Sequence, residues 1–325
     1  MKKIAIIIPY FGKLPSYFQV WLYSAEKNKN YDFYIFTDDR RIAQFNLQDN
    51  IKVSIESFDH FKQRFQKKLN FQISLDYPYK ICDYRPMYGV VFEKILKKYD
   101  FWGFGDFDIV LGDLNTYISK DVMKNYDRIY NYGALSIYKN VSKMNNLFKE
   151  KNNYKDCLSY KYVYKTNFSL YFDEMGGHRY GYGQSMVAIR QKNIRVLINN
   201  YCADINPNFY NFQLFNSKEK YDYFEYNDGK IWGIKNGKRE KEFVYLHFQK
   251  RNVKLDFNLN KNLFYIGPTL ITGNKEKVTH NVNDGVQKKR FIENLIKRKN
   301  KNAVKLIKQG AIRFIINSVS KKINI

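Results

Sequence analysis

The sequence predicts a doubly wound α/β fold, and two observations carry this prediction. Short apolar runs of strand length alternate with amphipathic segments of helix length through the first part of the chain, which is typical of a mostly parallel sheet flanked by helices. The composition agrees, because 44% hydrophobic and 18% aromatic residues over 325 positions suffice for a large buried core. Wholesale disorder is therefore excluded.

The first elements follow in a regular order. The run Lys3–Ile8 stops at Pro9 and has the uninterrupted apolar character of a buried parallel strand. The segments after it are predicted as a helix over Gly12–Lys29, strands over Tyr31–Phe36 and Ile51–Ile55, and a helix over Phe58–Leu69.

The later elements surround the polar motifs. A helix is predicted to follow Lys80–Tyr88 and to run to about Lys98, with Pro86 in its first turn, where the missing N–H costs nothing. The next predicted strand is Tyr99–Phe104, and a late strand is predicted over Phe243–Phe248.

The charge of the chain is high and unevenly spread. The net charge of +25, from 56 basic and 31 acidic residues, favours nucleic acid, phosphorylated substrates or an acidic membrane surface as partners. The stretch from Lys288 to Ile325 alone has 12 Lys and Arg against one Glu, a net charge of +11. This asymmetry favours a surface interaction made by the tail, so we expect no nucleic-acid partner.

The tail has the pattern of a basic amphipathic helix over 288–325. Apolar residues recur at steps of three and four positions and basic residues occupy the others: the apolar set is Val304, Ile307, Ala311, Ile315 and Val319, and the basic set is Lys301, Lys305, Lys308, Arg313 and Lys321. Such a helix suits the surface of an anionic leaflet. A helix packed on the domain, with a solvated basic face, is the alternative.

The cysteines and the apolar segments predict a cytoplasmic location. Cys82, Cys157 and Cys202 are far apart and form no Cys-x-x-Cys pair, so neither a disulfide framework nor a zinc cluster is expected. No apolar stretch approaches the ~20 residues of a membrane span, and the run before Pro9 is too short for a secretory leader. The tail would hold the protein on the inner face of the plasma membrane.

The motif Gly105-Asp106-Phe107-Asp108 is the strongest chemical signal. Carboxylates two positions apart on an extended backbone project to one side, and strand ends in open α/β sheets are where such folds bind ligands. Mg²⁺ and Mn²⁺ prefer such oxygen ligands and often share them with substrate phosphates. Gly103 and Gly105 are expected to let a ligand approach the backbone. We therefore predict a metal site at Asp106 and Asp108; a solvated acidic loop is the alternative.

These residues resemble the GT-A-type glycosyltransferases, whose signature is an Asp-x-Asp motif. More narrowly, two stretches resemble a bacterial family of capsule, lipopolysaccharide and related polysaccharide pathways: Cys82-Asp83-Tyr84-Arg85-Pro86, and the run from Asp100-Phe101-Trp102-Gly103 to Gly112-Asp113-Leu114. The resemblance covers roughly the first 270 residues. It implies a GT-A-like, Rossmann-like domain over 1–287, with a nucleotide-binding half at about 1–115 and an acceptor half at about 116–287, followed by the helical tail 288–325.

The resemblance also implies the ligands. A nucleotide-sugar, in the first place a UDP-sugar, would lie over the first strands, with Mn²⁺ or Mg²⁺ joining its diphosphate to the two aspartates of the motif. Asp38 or Asp39 would accept a hydrogen bond from the base or ribose, although a turn or helix cap suits these residues equally well. Pro9 and Tyr10 end the first strand nearby, and Tyr10 would stack on the base.

Arg85 and Asp83 are assigned to the same nucleotide-sugar site. The planar guanidinium of Arg85 suits phosphate or carboxylate, and Asp83 lies beside it in the motif. The alternative for Arg85 is a salt bridge with Asp83 or Glu93. Asp113 is expected to cap the next turn.

The late strand carries a candidate third metal ligand. Several GT-A families complete the metal site with a late histidine and place a nearby lysine on the diphosphate, and His247 and Lys250 match this plan by position. The glycine that separates the two in some families is missing, and Arg251 is an alternative phosphate contact. A lone histidine on a strand is otherwise more often a packed core residue.

Asp173 and Glu174 are the candidate catalytic residues of the acceptor half. Adjacent carboxylates there could include the base that removes a proton from an acceptor hydroxyl. They could equally bind acceptor hydroxyls without doing chemistry, or form a solvated acidic loop.

The expected function is metal-dependent transfer of a sugar from a nucleotide-sugar to a cell-surface glycan precursor, an oligosaccharide or a lipid-linked glycan. The late histidine favours a retaining enzyme; an inverting enzyme with Asp173 or Glu174 as base is the alternative. A sugar-phosphate nucleotidyltransferase would need a glycine-rich phosphate loop after the first strand, which Pro9-Tyr10-Phe11-Gly12-Lys13 does not supply. A nucleic-acid-binding protein would leave the Asp-x-Asp motif unexplained.

Overall fold

A computed structural model describes residues 4–150, 154–177, 180–198, 201–215, 217–249, 251–256 and 262–308. A large and mostly parallel sheet flanked by helices gives it the mixed α/β architecture that the sequence predicts. Several candidate residues lie outside the described part of the chain: Lys250, the tail after Lys308, and the side chains of Lys305, Ile307 and Lys308.

The described residues contain twenty strands. Those of the first part of the chain are β1 (Ile4–Tyr10), β2 (Tyr31–Thr37), β3 (Ile51–Ile55), β4 (Phe101–Gly105), β5 (Ile109–Leu111), β6 (Arg128–Tyr132), β7 (Leu135–Lys139), β8 (Gly176–Gly177), β9 (Gly181–Tyr182) and β10 (Val196–Leu197). The later strands are β11 (Cys202–Asp204), β12 (Phe212–Gln213), β13 (Lys220–Tyr221), β14 (Tyr223–Asn227), β15 (Lys230–Lys235), β16 (Lys238–Phe243), β17 (Tyr245–His247), β18 (Lys254–Leu255), β19 (Leu263–Ile266) and β20 (Leu270–Thr272).

The same residues contain eleven α-helices and three 3-10 segments. The helices are α1 (Phe18–Lys27), α2 (Phe58–Gln66), α3 (Tyr88–Val91), α4 (Glu93–Leu96), α5 (Leu114–Tyr117), α6 (Lys120–Asn125), α7 (Ser142–Asn145), α8 (Tyr160–Lys165), α9 (Gln184–Arg190), α10 (Lys275–Asn283) and α11 (Gly285–Lys308). The 3-10 segments are Arg40–Gln44, Pro78–Met87 and Leu147–Lys149.

The large sheet has seven strands in the order β10-β6-β7-β4-β1-β2-β3. Its strand pairs are parallel except for the two that β7 makes with β6 and β4. The apolar run Ile4–Ile8 of β1 is buried, and β2 and β3 confirm the strands predicted over Tyr31–Phe36 and Ile51–Ile55. Because β6, β7 and β10 follow residue 115, this sheet draws strands from both predicted halves of the domain.

The first helix is shorter than the predicted Gly12–Lys29, because α1 begins only at Phe18. The residues before it form a loop. Gly12 has a φ of +106°, and its N–H donates to the carboxylate of Asp38 at 2.7 Å instead of to a helical carbonyl.

The helix predicted after Lys80–Tyr88 is broken into short pieces. Pro78–Met87 is a 3-10 segment with Pro86 inside it, so the proline does not begin an α-helix as predicted, and α3 and α4 follow as separate single turns. A buried ion pair holds the 3-10 segment, with 2.8 Å between Nζ of Lys80 and Oδ2 of Asp83.

Gly103 has a packing reason, which corrects the expectation that it lets a ligand approach. A Cβ at this position would lie 2.5 Å from the carbonyl oxygen of Ser136 on β7 and 2.9 Å from Cδ1 of Ile6 on β1. The glycine therefore allows β4 to fit between its neighbours inside the sheet.

A three-stranded sheet in the order β11-β17-β5 connects the late strand to the Asp-x-Asp motif. The late strand is shorter than the predicted Phe243–Phe248, because Phe243 ends β16 and β17 begins at Tyr245. β17 runs antiparallel to β5, which follows the motif, and parallel to β11, so His247 lies opposite Ile109 and Asp204.

Helix α11 covers the described part of the predicted tail helix, and its two sides differ. One side packs on the domain, where Phe291 lies 5.7 Å from Tyr210 between ring centroids and Arg298 donates to the carbonyl of Pro207 at 2.8 Å. Ile292 and Ile296 on the other side are exposed. Within the described residues, no helix combines the length and the apolar character needed to cross a membrane.

Candidate metal and substrate site

The structure brings the three predicted metal ligands together. Asp106, Asp108 and His247 each offer one ligand atom, and these atoms lie within 4.8 Å of one another. All three side chains are partly accessible to solvent. Two carboxylates and an imidazole form a donor set that suits Mn²⁺ and accepts Mg²⁺, so the residues present fit the predicted cation.

The turn between β4 and β5 points both carboxylates outwards because Phe107 is anchored inwards. Phe107 is buried, and its ring lies 4.9 Å from that of Phe18 and 4.7 Å from that of Trp21, both on α1. The residues before and after it therefore project to the opposite side. This alternation is the one that the spacing of the motif predicts.

Asp204 orients the histidine. Its Oδ1 lies 2.8 Å from Nδ1 of His247, and it also accepts a 2.6 Å hydrogen bond from the amide of Gln249. Because a carboxylate oxygen accepts hydrogen bonds, Nδ1 of His247 donates to it, and Nε2 faces Oδ2 of Asp108 at 3.4 Å. Asp204 carries no recognisable signal in the sequence, since it lies 43 positions before His247 on a short strand.

The electrostatics of the cluster favour a positive charge at its centre. Burial opposes protonation of His247, yet Asp108 and Asp204 raise the pKa of its imidazole well above the ordinary value. Burial raises the pKa of Asp106, while Arg85 counteracts it. A proton or a divalent cation can supply the positive charge that these carboxylates stabilise.

Arg85 is the buried centre of a second group of charges. Its Nη2 pairs with Asp106, and its Nη1 donates at 2.9 Å both to Oδ2 of Asp173 and to the carbonyl of Gly133. The salt bridge partners expected as the alternative, Asp83 and Glu93, are thus wrong. The arginine joins the Asp-x-Asp motif to the candidate catalytic pair.

The candidate catalytic residues differ in accessibility. Asp173 is buried against Arg85, whereas Glu174 is partly exposed and its Oε1 accepts the N–H of Gly133 at 3.0 Å. Burial raises the pKa of Glu174, and a side chain at position 133 would overlap its carboxylate. The solvated acidic loop therefore does not describe Asp173.

A second buried arginine lies beneath this pair. Arg128 donates to the carbonyl of Asp173 at 3.2 Å and to the hydroxyl of Ser185 at 2.7 Å, and its guanidinium lies 4.6 Å from the ring centroid of Tyr138. Nothing in the sequence pattern distinguished it. It fixes the backbone that carries the candidate catalytic residues.

A protein-family model matches the greater part of the chain. The model of a family of unknown function (DUF6625) matches residues 6–275 of the chain, which is well over half of it. The chain belongs to this family. The DUF6625 range includes the cluster of Asp106, Asp108 and His247 and ends where α10 begins, so α11 lies beyond it. No curated protein matches the chain.

Asp83 has a structural role in this DUF6625 chain. It is fully buried, and its oxygens accept the N–H groups of Leu170 and Phe172 at 2.9 Å each in addition to the ammonium of Lys80. No exposed oxygen is left for the predicted contact with a nucleotide-sugar. This part of the prediction is corrected.

Asp38 and Asp39 shape the loop before α1. Asp38 holds the N–H of Gly12 at 2.7 Å and remains exposed, whereas Asp39 accepts the N–H of Leu14 at 2.8 Å and caps the 3-10 segment Arg40–Gln44. A side-chain hydrogen bond from Arg41 lowers the pKa of Asp39. The cap alternative is therefore confirmed for Asp39, and only Asp38 presents an accessible side chain.

The end of β1 borders the cluster. Tyr10 packs 5.2 Å from the ring of Phe107, and Pro9 and Tyr10 are partly exposed. Burial raises the pKa of Tyr10 and Asp108 adds to the effect, which places the phenol near the carboxylates. Burial and Asp108 also raise the pKa of Tyr17, a neighbour that the sequence did not single out.

Arg251 does not contribute a phosphate contact at this site. It is buried under the ring of Phe291 and donates to the carbonyl of Tyr210 at 2.7 Å. It lines a cleft of about 900 Å³ that lies between α10 and α11 and includes none of the cluster residues.

Asp113 caps α5 as predicted, since its side chain accepts from the N–H of Asn115 at 3.0 Å.

Proposed function

We propose that this DUF6625 chain is a metal-dependent glycosyltransferase with a GT-A-like fold. It transfers a sugar from a nucleotide-sugar, in the first place a UDP-sugar, to a cell-surface glycan precursor. The observation that carries the proposal is the cluster of Asp106, Asp108 and His247, whose two aspartates follow directly after β4. The end of a strand in an open α/β sheet is where such folds bind ligands.

The cation site uses these three residues. Asp106, Asp108 and His247 would hold Mn²⁺ or Mg²⁺, and Asp204 keeps Nε2 of the histidine directed at the site. A divalent cation bound there supplies Lewis-acid stabilisation of the negative charge on a departing nucleoside diphosphate.

The remaining residues provide fixed charge and position. Arg85 is buried and always protonated, so it places a positive charge beside Asp106 without reorganisation during the reaction. Asp38 and Tyr10 border the end of β1, where the nucleotide would lie. The proposed contact of Lys250 with the diphosphate rests on the position of Lys250 in the sequence alone.

The two candidate catalytic carboxylates would have different roles in the reaction. Asp173 is engaged by Arg85 and buried, so its part is to position that arginine. Glu174 is the accessible member of the pair, and a raised pKa brings a carboxylate closer to the range useful for a base. We favour a retaining enzyme because of the late histidine, and Glu174 is the base if the enzyme inverts.

An anionic membrane surface is the proposed second partner. Ile292 and Ile296 form an exposed apolar strip on α11, and Lys289, Lys297 and Lys299 beside them are exposed as well. Such a face suits the inner leaflet of the plasma membrane and would bring a cytoplasmic enzyme to a lipid-linked acceptor.

The test measures the melting temperature of the chain with nucleoside diphosphates, in the presence and in the absence of Mn²⁺. We expect UDP with Mn²⁺ to raise the melting temperature of the wild type and either ligand alone to raise it less, because ligands that bind the native state stabilise it. Asp108→Asn should lose the joint effect. A wild-type melting temperature that no nucleoside diphosphate changes in the presence of Mn²⁺ would contradict the proposal.

A further inference from the structure

Arg251 is a buried cation whose hydrogen-bond partners carry no charge. It is 5% exposed, and its hydrogen bonds go to backbone carbonyls, among them that of Tyr210 at 2.7 Å. The guanidinium lies 5.1 Å from the ring centroid of Phe212 and 5.3 Å from that of Phe291. Among the described residues, its Nε has no hydrogen-bond partner and no carboxylate pairs with it. Buried charges are ordinarily paired with an opposite charge.

A second arginine brings positive charge to the same loop. Arg298 on α11 donates to the carbonyl of Pro207 at 2.8 Å, three positions before Tyr210, whose carbonyl Arg251 binds. Both arginines line one cleft, and within the described part of the chain Arg298 has no carboxylate partner either. Burial lowers the pKa of Arg251 to about 10, to which the charge of Arg298 contributes, so Arg251 is still protonated at neutral pH. An anion beside the two arginines would reduce their electrostatic cost.

The cleft between α10 and α11 gathers further basic residues. Its volume of about 900 Å³ is enough for a small organic molecule. Besides the two arginines, its walls include three basic and two acidic residues: Lys254, Lys277 and Arg290, and Glu276 and Asp284. Lys277 pairs with Asp256 at 2.8 Å, which leaves four basic residues against two acidic ones. The cleft is therefore positively charged and suits an anionic ligand.

The lining indicates the chemical class of this anion. A guanidinium presents its N–H groups in a planar fork that matches a phosphate group. Three residues with amide side chains also line the cleft, Asn252, Gln287 and Asn294, and amides form hydrogen bonds with hydroxyl groups. A phosphate group attached to a hydroxyl-bearing body fits the charge, the amides and the volume together.

We propose that this cleft is a second ligand site, which binds a phosphate ester with a hydroxyl-bearing body. The phosphate group pairs with Arg298 beside Arg251, and Arg290 adds positive charge near it. None of the metal-cluster residues lines the cleft, so the inference goes beyond the proposed glycosyl transfer and does not depend on it. A soluble sugar phosphate and the glycerol phosphate headgroup of an anionic phospholipid offer this chemistry alike.

The test compares two double variants of the full chain that remove the same charge from the same helix. Arg290→Ala with Arg298→Ala removes basic side chains that line the cleft, whereas Lys289→Ala with Lys297→Ala removes exposed ones that do not. The soluble probes are glucose 1-phosphate and glycerol 3-phosphate, measured by isothermal titration without Mn²⁺. The cleft variant should bind them at least about tenfold more weakly than the wild type, because a charge-assisted hydrogen bond is lost. The control variant should keep the wild-type affinity.

A lipid arm distinguishes the two sources of the phosphate group. Phosphatidylcholine vesicles contain either phosphatidylglycerol or the same fraction of phosphatidylserine, which has an equal net charge and no glycerol hydroxyls in its headgroup. If the headgroup is the ligand, the wild type co-sediments preferentially with phosphatidylglycerol, and only the cleft variant loses this preference. If the ligand is soluble, the wild type binds a soluble probe and does not distinguish the two lipids.

A single variant separates binding from a loss of fold. Arg290→Ala removes an exposed side chain, so it should keep the wild-type melting temperature and still weaken binding. Equal weakening in both double variants would show that net charge alone attracts the phosphate and would overturn the site. A wild type that binds no soluble probe and does not prefer phosphatidylglycerol would overturn it as well. The affinity for UDP with Mn²⁺ is the separate readout of the proposed function and should be the same in all variants.

Discussion

The carboxylate of Asp204 accepts a hydrogen bond from Nδ1 of His247 at 2.8 Å and so directs the other ring nitrogen towards Asp108. The register of β11 against β17 sets this relationship, because it places Asp204 opposite His247. Gln249, with a positive φ of 44°, turns its amide to the same carboxylate. A histidine held this way is prepared as a metal ligand.

Asp204→Ala should therefore weaken Mn²⁺ binding by about 10- to 100-fold without removing a ligand. The affinity is measured by isothermal titration or by the Mn²⁺ signal in electron paramagnetic resonance. Asp256→Asn is the matched control, since that aspartate forms an exposed ion pair with Lys277, and it should leave the affinity unchanged. An unaltered Mn²⁺ affinity in Asp204→Ala would show that the histidine does not need its partner.

The two aspartates of the motif should respond differently to substitution. Asp108→Asn removes a carboxylate whose ion-pair partner among the described residues is His247, so Mn²⁺ binding and transfer should be lost while stability changes by less than about 1 kcal/mol. Asp106→Asn also deprives the buried Arg85 of a charged partner and should cost about 1–3 kcal/mol in the free energy of unfolding.

Chemical denaturation of both variants decides this prediction, with Mn²⁺ titration as the second measurement. Equal stabilities would mean that Arg85 needs only Asp173. Wild-type turnover of Asp108→Asn at low Mn²⁺ would remove the metal assignment itself.

The local parts of this picture were predictable from the sequence. Neighbouring residues alone determine the strands predicted over Tyr31–Phe36 and Ile51–Ile55. They also determine that the two aspartates of the Asp-x-Asp motif project to the same side. Both features are found as predicted. The predicted start of α1 was wrong because Asp38 holds the loop before the helix, and Asp38 lies after the end of the next strand, β2. Periodicity carries no information about such a contact.

The long-range partners could not be predicted for the same reason. Arg85 pairs with Asp173, 88 positions away, and no pattern in either segment indicates the other. Asp83 lies in the same motif as Arg85 and was assigned to the ligand, yet it is buried and binds backbone N–H groups. A motif shows that polar residues are needed, and only the fold shows which of them face solvent.

Substitutions of the two candidate catalytic residues should differ in their effects on stability and on catalysis. Asp173→Asn leaves the buried Arg85 without one of its two counter-charges and should lower the free energy of unfolding by roughly 3 kcal/mol. Glu174→Gln keeps an oxygen that can accept the N–H of Gly133, so stability should change by less than about 1 kcal/mol.

Kinetics of Glu174→Gln then report on the mechanism. A fall in kcat of about 100-fold or more, with nucleotide affinity unchanged, is expected of an inverting enzyme that uses this base. A raised acceptor KM with kcat retained is expected of a retaining enzyme in which Glu174 only binds the acceptor. Wild-type values for both constants would remove Glu174 from the site.

The two sides of α11 can be substituted independently of each other to test for membrane contact. Phe291 faces the domain, 5.7 Å from the ring of Tyr210, whereas Ile292 and Ile296 are each 53% exposed. The double substitution Ile292→Glu and Ile296→Glu should therefore abolish co-sedimentation with vesicles that contain anionic phospholipid and leave the melting temperature unchanged. Phe291→Ala should do the reverse, since it removes packed apolar surface and lowers the melting temperature but keeps the exposed strip. Neutral vesicles should bind the wild type poorly and added salt should weaken its attachment, as screening of the basic side chains requires. Undiminished sedimentation of the double variant would show that α11 is only a packed helix with a solvated basic face.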